Sequence, residues 1–443
     1  MMLKLLSKEK IIQKYEELEK ENALLKKEKE ALERELRKYK NSNTPPSANQ
    51  HLKPNYSTKI VNVKPHKRGA PVGHLGITKP KQKTSNVNHI LGTECPGCKS
   101  KDIKVIGEKL QQQEEIPPDI KTKIVDIIRD ICKCNKCNLK FLARDNQTPI
   151  QGKFGINLMV LIIFLKFIMR GVLRKTTCFM EASFALKLAP ASVQAIIERA
   201  RQAGEKEYKT LQQRIRSAKL LYIDETSFSV LGKNWWVWVF RSDTDLLLVI
   251  RNSRGNKVLE EILGKDYKGT VICDCWRAYD YLSNAFLQRC WAHLLRKSKE
   301  LKNVPGRHFH KKLSMLFDEI IQFNKKEHNE KQRLMKYARM TKKLQKIIQH
   351  YSRYEECQKV TKYIDFHIES WFTCVKIAGI QPTNNYAEQA IRETVLVRKI
   401  IGAFRSEEGT KRYETLSSLI ATWQLQKLNI KAELTRMLSV NLC

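Results

Sequence analysis

KLLYIDETSFSVLGKNWWVWVFRSDTDLLLVIRNSRGNKVLEEILGKDYKGTVICD, residues 219–274, is the stretch on which the fold turns. KLLYIDE (219–225) is an apolar run that ends in two acids. NWWVWVF (234–240) and DLLLVIR (245–251) are two more apolar runs of strand length. Gly232, Lys233 and Asn234 separate the first pair of runs, and Ser242 to Thr244 the second. RGNKVLEEILG (254–264) has the spacing of an amphipathic helix, and GTVICD (269–274) is a fourth apolar run that again ends in an acid. The expected order is strand, strand, strand, helix, strand.

That order opens the ribonuclease H fold, so the expectation is a mixed α/β core of that type. Asp224 would lie on the first strand and Asp274 at the end of the fourth. Those strands are neighbours in such a core, so carboxylates 50 positions apart can converge. Phosphoryl transfer on DNA needs such convergence. Hard divalent ions, Mg²⁺ or Mn²⁺, take oxygen ligands. A pair of them about 3.5–4 Å apart activates the attacking oxygen and stabilises the leaving one. A third acid should come from a later helix, and Glu388 in PTNNYAEQAIRETVLVRK (382–399) is the candidate. Asn384 and Asn385 suit a helix cap, which puts Glu388 in the first turn. Taken singly, each Asp is an ordinary strand-end acid, and Glu388 is an i,i+4 partner for Arg392. The three together, in that order of elements, point to a catalytic set.

Composition supports a polyanionic partner. The chain has 443 residues with 82 Lys plus Arg against 46 Asp plus Glu, a formal charge of +36. Basic side chains on phosphates release condensed counterions, so nucleic acid is the natural ligand class. The opening MMLKLLSKEK has no long apolar region, and the most apolar stretch, 156–172, is interrupted by Lys166 and Arg170. It falls short of the roughly 20 apolar residues of a membrane span, so a buried helix and a cytoplasmic, nucleoid-associated protein are expected.

Residues 8–40 carry a heptad, with Ile11, Leu18, Leu25, Leu32 and Tyr39 on one seam and Tyr15, Asn22, Lys29 and Leu36 on the other. A coiled coil and self-association follow from it. Residues 41–93 (NSNTPPS, KPHKRGAPVGHLG, KPKQK) form a basic linker without apolar periodicity. Residues 94–145 hold Cys95-Pro-Gly-Cys98 and Cys134-Asn-Lys-Cys137. Two such knuckles fit a zinc ribbon in which four thiolates hold one structural Zn²⁺, with Cys132 a spare. Residues 150–215 are helical text, a candidate DNA-binding region, with Pro190 suited to a helix start. The catalytic core is expected over 216–294 and 381–425, with a C-terminal tail over 426–443.

At this point a resemblance appears. IDETSFSVLGKNWWVWVF, VICDCWRAYD, QRCWAHLLRK and TNNYAEQAIRETVLVRK resemble the catalytic blocks of bacterial insertion-sequence transposases of family sixty-six, the TnpC type. The coil, NSNTPPS, GAPVGHLG, the CPGC and CNKC knuckles and IIGAFRSEEGTKRYETLSSLIATWQLQKLNI (400–430) resemble that family in the same order. Two departures stand out: Gln389 where the family tends to have Arg, and Ile400 where it has an aromatic.

The resemblance implies a DDE transposase with Asp224, Asp274 and Glu388 as its acids. It would cleave DNA at element ends and join them to target DNA. Its implied partners are both DNAs, a second copy of the chain and accessory transposition proteins. The resemblance also implies a helical insertion, which residues 295–380 fit with Lys-rich text such as KQRLMKYARMTKKLQKIIQHY. The rivals are a nuclease of the same fold that does not join ends, and a non-catalytic zinc-ribbon DNA-binding protein. Cys290 and His293 form a C-x-x-H whose reading stays open between DNA contact, site organisation and plain core, since a metal there would need further ligands. Arg392, Arg398 and Lys399, on the Glu388 helix, are candidate phosphate contacts. Trp235, Trp236 and Trp238 are expected mostly in the core, with one free to stack on a base, and Cys273 and Cys275 on the strand face opposite Asp274.

Overall fold

The computed structural model describes residues 14, 17–19, 21–25, 28–32, 96, 98–102, 104, 106 and 122–443. The chain divides into two compact units, residues 1–116 and 117–443. In the first unit, the described residues between 14 and 32 are helical and exposed, among them Leu18, Leu25 and Leu32 of the expected seam. The other seam positions except Asn22 and Lys29, the linker and Cys95 lie outside the described residues.

The second unit starts with a small antiparallel hairpin, β1 (Ile131–Lys133) and β2 (Lys140–Leu142). Three helices follow: α1 (Ile156–Phe167), α2 (Leu173–Phe184) and α3 (Pro190–Ser217). The apolar α1 buries Ile156, Met159, Val160, Ile162 and Ile163 against its neighbours. Among the described residues no helix is long and apolar enough to cross a membrane. Pro190 starts the long α3, where a missing N–H costs nothing.

The main sheet contains β3 (Leu220–Val230), β4 (Lys233–Arg241), β5 (Leu246–Arg251), β6 (Thr270–Cys273) and β7 (Phe286–Arg289) in the order β5-β4-β3-β6-β7. A two-residue strand, β8 (Ala403–Phe404), pairs with the far end of β3. Helix α4 (Lys257–Leu263) crosses between β5 and β6, so the sequence order strand, strand, strand, helix, strand is what the chain forms. β3, β4 and β5 are antiparallel, whereas β6 is parallel to β3, as a helical crossover requires. The turn between β3 and β4 is Leu231-Gly232, both at positive φ, and Lys233 and Asn234 already belong to β4. Two positive-φ residues give the twist that a two-residue hairpin needs.

Both faces of the sheet are covered. Trp238 and Phe240 pack on the α1–α3 side, and Val237 and Val239 join Phe228, Ile391, Phe404 and Tyr413 on the other. Past β7 come α5 (Trp291–Lys299), α6 (Val304–Asn324), α7 (Glu330–Tyr351), α8 (Glu355–Asp365) and the short α9 (Thr373–Lys376). They enclose a core of Trp291, Phe309, Leu313, Ile320, Met340, Leu344 and Trp371. The chain returns as α10 (Asn385–Ile401), α11 (Glu407–Leu425) and α12 (Ile430–Leu442). Residues 426–443, expected as a tail, thus hold a helix that buries Leu434, Met437 and Leu438.

Helix α11 closes the open edge of β5. Its Glu414, Ser418 and Thr422, spaced one turn apart, accept the N–H groups of Ile250 (2.6 Å), Leu248 (2.8 Å) and Leu246 (3.0 Å). Buried backbone donors need partners, and an uncovered edge invites foreign strands. A ladder of short polar side chains supplies both needs.

Candidate active site

The candidate site forms where β6 ends beside the first half of β3. The last residues paired between them are Tyr222 and Ile272, so Asp224 and Asp274 lie two positions beyond, on neighbouring chains. β6 stops at Cys273, which leaves Asp274 as the first residue past the strand, with its Oδ1 accepting Trp276 N–H at 2.8 Å. Asp224 Oδ1 accepts the N–H of Glu225 at 3.0 Å.

Glu388 arrives through a gap in the sheet. β3 pairs with β6 over 220–222 and with β8 over 229–230, and between them that edge has no strand neighbour. Helix α10 fills it. Asn384 Nδ2 donates to Ile223 O at 2.7 Å, and the Arg398 guanidinium donates to Ser227 O, with the Thr226 hydroxyl also in reach. Carbonyls two and four residues apart on a strand point the same way, so one helix reaches both. The expected Asn384 cap is therefore corrected: its side chain makes no cap bond, because it is fully buried and holds the strand instead. Glu388, one turn later, stands over the strand ends. It does not pair with Arg392 but with Arg296 Nη2 at 2.5 Å, and His293 Nδ1 is 3.6 Å away.

The electrostatics record the convergence. Burial holds the Asp224 carboxyl well above its ordinary range, and the charges of Glu225, Asp274 and Glu388 push it further the same way. Glu225 is raised to about 7, first by burial and then by Asp274. Like charges held together disfavour their own ionisation.

Several residues around the acids carried no signal of their own in the sequence. Glu225, side by side with Asp224 on a strand, points to the other face and is buried, where it accepts Arg254 Nε at 2.8 Å and the Tyr279 hydroxyl at 2.6 Å. Arg254 is held between the rings of Trp236 and Trp276, 4.7 and 4.2 Å from their centroids, and its Nη2 is 3.9 Å from Asp274 Oδ2. Trp238 is fully buried, and Trp236 is committed to Arg254. The buried Arg289 donates to Asp274 O at 2.6 Å and pairs with Asp280. Beside that pair, His367 is lowered to about 4, by burial and then by Arg289.

The other expected residues fall as follows. Cys290 is the residue before α5 and is buried, with its thiol raised to about 11 by burial. His293, in the first turn of α5, is lowered by burial and then by Arg296. Cys273 is buried at the end of β6, whereas Cys275 lies past the strand and is partly exposed. Arg392 and Lys399 are exposed on α10, but Arg398 is half-buried against β3. Cys134 and Cys137 sit on the β1–β2 turn, where Asn138 N donates to Cys134 O at 2.9 Å and Asn138 takes a positive φ. Backbone N–H groups of Cys137 and Lys136 hold the Cys134 thiol below its ordinary range. Cys98 is exposed in the first unit.

The uncharacterized protein y4hP of Sinorhizobium fredii (strain NBRC 101917 / NGR234) is 22% identical over 393 residues, covering 78% of this chain and 70% of its own. Residues 151–412 match the Transposase IS66 family. With more than half of its length matched, from α1 to the start of α11, the chain belongs to the Transposase IS66 family, which makes it a transposase with DNA as its partner.

Proposed function

We propose that the chain is a DDE transposase that cleaves DNA at the ends of its element and transfers the freed strands to target DNA. The observation that supports this reading is that Asp224 and Asp274 stand level on neighbouring chains two positions past the β3–β6 pairing, near enough to Glu388 that the charges of Asp274 and Glu388 both raise the Asp224 carboxyl. The strand order β5-β4-β3-β6-β7, with a helical crossover before β6, supports a ribonuclease-H-like core in which α5–α9 would be the helical insertion.

The donor set fits two Mg²⁺ or Mn²⁺ ions, because it is all carboxylate oxygen and its excess negative charge needs a cation. Asp224, Asp274 and Glu388 would hold them, and such ions activate an attacking oxygen and stabilise a leaving one. The protein's own contribution is position. Asn384 and Arg398 fix α10 to β3, and Arg254 neutralises Glu225 so that the second acid does not compete for cations. Arg296, half-exposed beside Glu388, can meet a phosphate oxygen. In the first step a water oxygen bonds to phosphorus, the phosphorus–O3′ bond breaks, and a 3′-hydroxyl results. In the second, that hydroxyl oxygen bonds to a target phosphorus, the target's phosphorus–O3′ bond breaks, and a target 3′-hydroxyl leaves. No covalent protein intermediate is formed.

The accessory assignments belong to the same reading. Cys134 and Cys137 would give two thiolates to a structural Zn²⁺, supported by the tight thiolate-favouring turn at Cys134. The exposed Leu18, Leu25 and Leu32 form a self-association seam. Arg392 and Lys399 contact phosphates. The test uses purified full chain, Mn²⁺ and DNA bearing the element ends. Wild type should nick and join, whereas Asp224→Asn, Asp274→Asn and Glu388→Gln should each fall to background while still binding DNA. Nicking without joining would make it a nuclease, and binding with neither would make it a DNA-binding protein only.

A further inference from the structure

Among the described residues, Cys290, His293 and Glu388 bring a sulfur, a ring nitrogen and a carboxylate oxygen within 4.8 Å of one another. Cys290 and His293 are three apart at the start of α5, which puts them on one face. Glu388 comes from the first turn of α10. We propose that these three residues form a second metal site, for a borderline cation such as Zn²⁺, that shares Glu388 with the carboxylate site.

Three observations carry it. First, His293 Nδ1 is buried and has no hydrogen-bond partner. It lies 3.6 Å from Glu388 Oε1, too far for a hydrogen bond. Two ligands on a tetrahedral ion with bonds of roughly 2.0–2.1 Å stand about 3.4 Å apart. Second, Cys290 Sγ accepts the Asn384 N–H at 3.1 Å. A backbone donor to a thiolate ligand is the usual outer support of a metal site, and the same Asn384 has a buried, unpartnered Oδ1. Third, the chemistry is selective. Thiolate and imidazole favour Zn²⁺ or Co²⁺, and Mg²⁺ avoids both. Thiolate plus carboxylate would balance the charge of one divalent ion. Arg296 also approaches Glu388, but its side chain is half-exposed, so it can turn to solvent.

Three protein ligands leave a fourth position open for water or a phosphate oxygen. Because Glu388 is shared, Zn²⁺ at this site draws that carboxylate toward Cys290 and His293. Zn²⁺ should therefore inhibit Mg²⁺-dependent cleavage, a consequence that rests on the catalytic reading above. The site itself does not.

The test is anomalous diffraction from crystals of the full chain, soaked separately in Zn²⁺ and Mn²⁺. A Zn²⁺ peak bonded to Cys290 Sγ, His293 Nδ1 and Glu388 is expected, and Cys290→Ser and His293→Gln should each remove it. Bound zinc should drop by about one equivalent per chain, and the sulfur-to-cobalt absorption of the Co²⁺ form should fall in Cys290→Ser. No peak at the three residues, or an unchanged metal count and Co²⁺ spectrum in both variants, overturns the proposal. The Mn²⁺ soak reads the other site independently. A manganese peak missing from Asp224 and Asp274 beside a zinc peak at Cys290 would sink the catalytic reading and leave this one standing.

Discussion

Glu225 should make the metal-free protein lose stability as pH rises, and the size of the loss can be worked from its surroundings. Its carboxyl goes from an ordinary 4.5 to about 7 in the fold, through burial first and then the charge of Asp274. A raised folded pKa means that its contribution is fully present below about pH 4.5 and is lost as pH climbs through about 7. Linkage gives a penalty on the order of 1 kcal/mol at pH 5 and on the order of 3 kcal/mol at pH 8. Lowered histidines such as His367 pull the other way, since they are destabilising as pH falls, so wild type alone is a poor reporter. Glu225→Gln isolates the effect. The variant also disturbs the Arg254 and Tyr279 contacts, so the change of the difference with pH, not its offset, is the quantity read. The stability difference between variant and wild type should therefore move by on the order of 2–3 kcal/mol in the variant's favour between pH 5 and pH 8. Urea midpoints followed by tryptophan fluorescence, which the buried Trp238 and Trp291 report, give the number. Saturating Mg²⁺ should flatten the movement, because a cation among the acids restores their ordinary ionisation. A difference that stays level across pH without metal would refute the picture of mutually repelling acids.

Other outcomes follow from single contacts. Asn384→Ala removes the buried bond to Ile223 O, and a loss of about 1–3 kcal/mol of positioning should slow cleavage roughly 10–100-fold with DNA affinity unchanged. DNA affinity should fall by about 10³–10⁵ between 50 and 200 mM salt if 6–10 phosphates are engaged. Arg392→Ala and Lys399→Ala should each lower that salt slope by about one, whereas Arg398→Ala should leave it unchanged because its guanidinium is bound to β3. Ser418→Ala should cost about 1–3 kcal/mol and speed exchange of the Leu248 amide, which would be left buried without an acceptor.

The strands and acids were legible because they depend on local pattern. An apolar run of strand length that stops at an acid, twice, with a helix between, states its own geometry. Glu388 was legible too, as an acid in the first turn of a marked helix. The supporting residues were not, for a common reason: each acts through a partner that sequence spacing cannot name. Asn384 looks like a cap by position, and only the gap in β3 pairing gives its side chain a better acceptor. Glu414, Ser418 and Thr422 recur every fourth residue, but nothing in them announces the sheet edge that they cover. Arg254, at the head of the RGNKVLEEILG text, shows no partner by spacing, because Trp236 and Trp276, which close on its guanidinium, stand 18 positions before it and 22 after it.

The same gap explains why the third acid can come from so far along the chain. Had β3 been paired along its whole edge, no helix could approach the carbonyls of Ile223 and Ser227, and Glu388 would have stayed a strand's width away. Splitting the edge between β6 and β8 leaves a window about six residues long, at roughly 3.3 Å per residue near 20 Å. From Asn384 to Arg398 along α10, at 1.5 Å per residue, is also close to 20 Å. The helix therefore fits the window, with a hydrogen bond near each end and the acid near the end that faces Asp224. Chain between β7 and α10 is then free to vary in length, because two side chains, rather than the connection, hold Glu388 where it stands.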